Sequence, residues 1–366
     1  MMKSENRIVF LDYLRVIACF MVMVIHACEP FYLGGEEGTY IKNTGDAFWV
    51  TLVECLCRVC VPLFVMASSY LLFPVEKTMG EFLPRRFLRV SIPCAFWMFI
   101  YVCVSGGEWG KTAFNFPDAA GHLWFVPMLL GLYLLMPILS PWAEKAKEKE
   151  VRFLLFLWLL TTLFPFLRRL WSALYGAPAF GAVPYLYGEC PWNMFGTFHY
   201  VSGFIGYVLL GFWFRKFAPQ MTWGKTISIA APLWIAGISI IGCGFFFRIP
   251  KTFPFSAPYA FAVDLEMSIE YCSTGVALAT IGAFMVIRKF TAGGAFYRYF
   301  ISPFAKASYG TYLIHMFVLL TVLDKVKEFC STPCTILVTA IITFIVSSLV
   351  SLILGRIPKI GRWIMG

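Results

Sequence analysis

Residues 8–28 read IVFLDYLRVIACFMVMVIHAC. The stretch is long and apolar enough to cross a bilayer, which takes about 20 such residues as a helix. It nevertheless carries Asp12, Arg15 and His26. Ionisable groups inside a membrane are costly, so they tend to face a protein interior and to serve a function. Arg15 and His26 are eleven positions apart. On a helix that puts them roughly 20° apart around the axis and about 16 Å apart along it. Asp12 lies one turn from Arg15, within side-chain reach. One helix face therefore carries a polar line from one leaflet into the other.

The rest of the chain supports a membrane setting. Of 366 residues, 60% are hydrophobic and 14% charged, against about a quarter charged in soluble domains. Mean hydropathy is +0.75. Apolar blocks recur at 8–28, 48–73, 87–105, 122–141, 151–167, 197–217, 226–247, 269–287, 305–323 and 335–355. They are continuous, whereas strands of a membrane barrel alternate. The expected fold is an all-α integral membrane protein, a bundle of about ten transmembrane helices, with residues 1–366 as a single domain. Pro74, Pro93, Pro141, Pro165, Pro219 and Pro358 fall near block ends, where helices stop or kink. The N-terminal run is too long for a signal-peptide core and is read as an uncleaved first helix.

Charge sets the orientation. With the N-terminus inside, 20 of the 30 Lys and Arg fall in inner segments and 8 in outer ones, Arg15 and Arg58 lying within helices. This bias predicts both termini cytoplasmic. The formal charge of +10 is then topological. The basic residues are split among short loops, which argues against nucleic-acid binding. Most of the 12 cysteines sit in apolar blocks as small hydrophobes. Cys55, Cys57 and Cys60 lack the partners of a tetrahedral site, so no metal is expected. Cys330 and Cys334 share a loop and suit a bridge in an oxidising compartment. The outer loop 168–196 is rich in Tyr, Trp, Gly and Pro, fitting an interfacial belt or stacking on sugars.

The polar residues divide by side. His26, His122 and His199 fall at outer helix ends, and His315 lies mid-helix. Arg85, Arg86 and Arg89 crowd the inner end of the third block. They are either positive-inside anchors or a phosphate site, since guanidinium forks match phosphate oxygens. Arg58 has Glu54 one turn away, the spacing of a structural ion pair. Guanidinium groups inside and imidazoles outside suit a proton-coupled transporter. They equally suit an enzyme that takes a phosphate-bearing donor from the cytosol.

Four stretches resemble the acyltransferase-3 family of bacterial membrane O-acyltransferases. LDYLRVIACFMVMVIHA is similar to its first-helix signature, an Arg, ten residues, then a His, here Arg15 and His26. RVCVPLFVMASSYLL resembles its second helix, HLWFVPMLLGLYLLMPIL its fourth and ASYGTYLIHMF its penultimate one. The resemblance implies a stand-alone member, without a fused esterase-like domain, in the bacterial cytoplasmic membrane. It implies transfer of an acyl group, most often acetyl, from cytosolic acyl-CoA to a hydroxyl of an extracytoplasmic glycan or lipid-linked sugar. The donor is then a substrate, and no tightly bound cofactor is expected. On that reading Arg85, Arg86 and Arg89 hold the CoA phosphates, His26 is the general base and Asp12 fixes Arg15 on the donor path. His122, Trp124 and Arg58 are candidates for stabilising the oxyanion.

Overall fold

Pro62 divides the second apolar block. A proline ring clashes with the carbonyl four residues earlier and brings no N–H to it. That carbonyl belongs to Arg58, where the helix breaks. In the computed structural model the block is two helices, α2 (Thr44–Cys57) and α3 (Cys60–Leu72), with Arg58 capping the first. The structure describes residues 7–35, 38–114, 120–175, 196–257, 261 and 265–366.

Helix α1 (Val9–Cys28) is the central element, packed against α2, α3 and two late helices, α12 (Ser302–Val326) and α13 (Thr332–Leu354). Around it run α4 (Met79–Ser105), α5 (Trp109–Phe114), α6 (Phe125–Lys145), α7 (Glu148–Thr161), α8 (Phe164–Tyr175), α9 (Ile205–Lys216), α10 (Trp223–Phe246) and α11 (Thr274–Ile287). A short α14 (Gly361–Met365) ends the chain. Among the described residues nine helical spans are long and apolar enough to cross a membrane, and α11 is a shorter apolar helix. The chain is thus a multi-pass helical membrane protein, and these ten segments correspond to the ten apolar blocks.

Several boundaries differ from the sequence reading. Helix α4 begins at Met79 rather than near 87, so Arg85 and Arg86 lie on the helix with Arg89, two turns inside its start. An apolar window stops at the charges, whereas the helix continues past them toward water. Pro93 and Pro141, expected near helix ends, lie inside α4 and α6. The eighth block starts later, at Thr274, and residues 267–273 form turns rather than helix. Irregular backbone at membrane depth is tolerated where it is buried in protein or lines a cavity, and this stretch does line one.

The fold is not purely helical. Strands β1 (Leu33–Gly35), β2 (Gly38–Ile41) and β3 (Phe255–Ala257) form an antiparallel sheet in the order β1-β2-β3, with Tyr40 opposite Ser256. The sheet ties the segment after α1 to the one after α10. At the opposite end the first and last described residues meet the same surface. Arg7 donates to Ser302 Oγ at 2.8 Å, and Arg89 donates to the Gly366 carbonyl at 3.4 Å. Their lying at one end requires an even number of crossings between them.

Helices α10 and α11 pack closely because their facing residues are small. A Cβ on Gly237 would lie 2.4 Å from the Ala279 nitrogen, and one on Gly282 would lie 2.6 Å from the Ala230 carbonyl. Without a hydrophobic drive between helices in lipid, such close backbone approach supplies the dispersion contact.

Candidate active site

A cavity of about 790 Å³ runs inside the bundle, within the range of roughly 300–1,000 Å³ for small-ligand sites. It is lined at one end by Arg7, Arg15, Arg85, Arg86, Arg89 and Lys306, and at the other by His26, Glu29, Arg58, His122, Trp124 and Glu266. All nine residues singled out from the sequence line it.

The basic end is organised by Asp12, whose side chain is 2% exposed. Its carboxylate meets Arg7 Nε at 3.0 Å and Arg15 Nη1 at 3.3 Å, and accepts the Tyr297 hydroxyl at 2.7 Å. Asp12 also lies in the first turn of α1, where the helix dipole favours a negative charge. Tyr297 enters from a one-turn π-helix, Tyr297–Ile301, immediately before α12. These contacts leave Arg15, 28% exposed, directed along the cavity. Arg85, Arg86 and Arg89 share one face of α4 by their one-turn spacing and complete the basic mouth.

The other end gathers three imidazoles. Ring centroids are 5.2 Å apart for His26 and His315, 4.8 Å for His122 and His315, and 6.3 Å for His26 and His122. His26 Nδ1 lies 2.7 Å from Glu29 Oε2. An Nδ1–H directed at a carboxylate leaves Nε2 with its lone pair, the tautomer a base requires. His315 Nδ1 meets the Tyr312 carbonyl at 2.5 Å. Neither ring nitrogen of the buried His122 makes a hydrogen bond of normal geometry. His199 is exposed in the 3-10 turn Gly196–Val201 and does not line the cavity.

Arg58 is already committed. Its Nε donates to the Ile269 carbonyl at 2.9 Å, its Nη1 pairs with Glu54 at 3.2 Å, and its guanidinium stacks 4.7 Å from the Tyr271 ring centre. The Tyr32 hydroxyl lies between Glu266 Oε1 at 3.0 Å and Glu54 Oε1 at 3.4 Å. Trp124 stacks on Tyr271 at 5.4 Å. Trp124, a candidate from the sequence for stabilising the oxyanion, stands at the histidine end with the other two candidates, Arg58 and His122.

Sequence reasoning missed Glu29, Tyr32, Glu266 and Tyr297, and did not join His315 to the other imidazoles. Glu29 alone left a local signal, the three-residue spacing from His26 at the close of a helix. Tyr32 follows in the same segment without a signal of its own, and Glu266 and Tyr297 arrive from distant ones. Among the described residues no cluster of three or more His, Cys, Asp or Glu is arranged for a metal ion. Cys330 and Cys334 are both free thiols. Of the aromatic outer loop, residues 176–195 lie outside the described residues.

No curated protein and no solved structure matches the chain. A family model described as an acyltransferase domain, Acyl_transf_3, matches residues 8–352, which span the whole cavity apart from Arg7 and Gly366. The chain therefore belongs to the acyltransferase-3 family, and is a membrane-embedded enzyme that transfers acyl groups.

Proposed function

We propose that the protein moves an acetyl group from cytosolic acyl-CoA to a hydroxyl of an extracytoplasmic glycan or lipid-linked sugar. The observation that carries this reading is the cavity joining a guanidinium-rich mouth to the His26–Glu29 pair. Arg85, Arg86 and Arg89 suit the phosphates of CoA, because charge-assisted Arg–phosphate bonds are among the strongest available. Arg15, at the same basic end, accompanies the start of the extended pantetheine arm. The excess of Lys and Arg on the side of the termini assigns the basic mouth to the cytoplasm.

At the far end His26 Nε2 accepts the proton of the acceptor hydroxyl as its oxygen attacks the thioester carbonyl. Glu29 holds the ring and balances the imidazolium. The tetrahedral oxyanion needs a hydrogen-bond donor. Of the three candidates, Arg58 and Trp124 retain N–H groups, but only His122 among them has buried ring nitrogens that make no hydrogen bond of normal geometry. His122 is accordingly the favoured donor. Collapse breaks the C–S bond, and the imidazolium returns its proton to the thiolate, giving free CoA and the ester.

The test is mass spectrometry of envelope glycans from cells with the intact gene, without it, and with His26→Ala. The expected result is a mass increment of one acetyl ester, present only with the intact gene. An increment retained in the inserted His26→Ala variant removes His26 as the base.

A further inference from the structure

The two ends of the cavity are opposite in charge, and the difference bears on what enters from the outside. Three carboxylates, Glu29, Glu54 and Glu266, gather at the histidine end. Among the described residues lining that end, Arg58 is the one permanent cation, and two of its five N–H donors go to Glu54 and the Ile269 carbonyl. Glu29 is engaged by His26. Glu266 keeps only the Tyr32 hydroxyl among its hydrogen bonds, and that hydroxyl lies equally within reach of Glu54. A hydroxyl has one proton, so it donates to one carboxylate at a time.

Burial pushes the Glu266 carboxyl above the usual carboxylate range, against the pull of Arg58 and Tyr32, and Glu29 adds to the rise. Among the described residues, another negative charge brought to this end meets three carboxylates and one guanidinium. A second observation marks the place as built for a ligand. His122 is 6% exposed, lines the cavity, and has neither ring nitrogen in a hydrogen bond of normal geometry. A buried polar group left this way is costly until something binds it.

We propose that the histidine end is an acceptor subsite for sugar rings without an anionic substituent, and that Glu266 sets this selectivity. Glu266 takes hydroxyl protons of a neutral ring, Trp124, backed by Tyr271, offers aromatic surface to its apolar face, and a carboxylate or phosphate on the ring is repelled. The proposal rests on the acyl-transfer reading above.

The experiment uses the purified full-length protein, acetyl-CoA and the glycan found to carry the ester. That glycan is compared with the same material whose primary hydroxyls have been oxidised to carboxylates. CoA release and ester formation are measured for the intact protein and for Glu266→Gln. The intact protein is expected to lose at least about tenfold in kcat/KM on the oxidised glycan, since like-charge contacts at an interface are strongly disfavoured. Glu266→Gln is expected to recover a substantial part of that loss. Equal rates on the two glycans, or the same loss in Glu266→Gln as in the intact protein, overturn the selectivity. So does mapping of the ester in cells to a uronic acid or a phosphorylated ring. Absence of transfer to the unoxidised glycan, with acetyl-CoA still binding, instead overturns the acyl-acceptor reading and this proposal with it.

Discussion

Glu29 sits three residues after His26, just past the end of α1, and the 2.7 Å contact fixes the imidazole tautomer. Replacing it by Gln keeps the shape and removes the charge that balances the imidazolium. Glu29→Gln should therefore lower kcat by about 10²–10⁴-fold, the typical worth of positioned acid–base catalysis, with KM for acyl-CoA unchanged. Steady-state kinetics with acyl-CoA varied checks this split, and a rise in KM alone would assign Glu29 to binding instead. At this scale the sequence was partly legible. Arg15 and His26 stand out because a membrane helix does not carry such groups without a use. Glu266 does not stand out, because a carboxylate in a loop between helices has no apolar background against which to be noticed. Its part in the site follows from Tyr32, which is 234 positions away and meets it at 3.0 Å.

At the scale of elements, hydrophobic length found the ten segments but not where they break. The interruption at Arg58 follows from Pro62, a local steric rule, and was available from the sequence. The start of α4 at Met79 was not, because helical conformation outlasts the apolar window by two turns. The close pairing of α10 and α11 depends on Gly237 and Gly282 facing backbone atoms of the opposite helix. A side chain at Gly237 must push the helices apart. Gly237→Leu should cost about 1–3 kcal/mol, the usual penalty of overpacking, read as a lowered midpoint of thermal unfolding in detergent. Gly224, whose Cβ would meet open space, supplies the control: Gly224→Leu should leave the midpoint nearly unchanged. Equal effects at the two positions would contradict the close contact between α10 and α11.

Across the whole molecule, the fold performs one task that no single helix performs. It sets α1 at the centre, so that the line from Arg15 to His26 becomes the wall of a cavity rather than a stripe facing lipid. The helix α4 then brings arginines to one end, and the irregular backbone before α11 brings Glu266 and Tyr271 to the other. The sequence disclosed the two ends and their separation of about 16 Å along α1. It did not disclose that three histidines from α1, α12 and the turn before α6 meet, since such contacts depend on how the helices pack.

The most direct measurement reconstitutes the protein in sealed liposomes, with labelled acetyl-CoA on the side of the termini and the acceptor glycan on the other. The account predicts that label crosses to the glycan while CoA stays on the donor side. It also predicts that replacing Arg85, Arg86 and Arg89 together by Gln raises KM for acetyl-CoA by at least about tenfold, the scale of one strong charged contact. Label reaching the glycan only when both substrates share one side would contradict the cavity's role as the route between them.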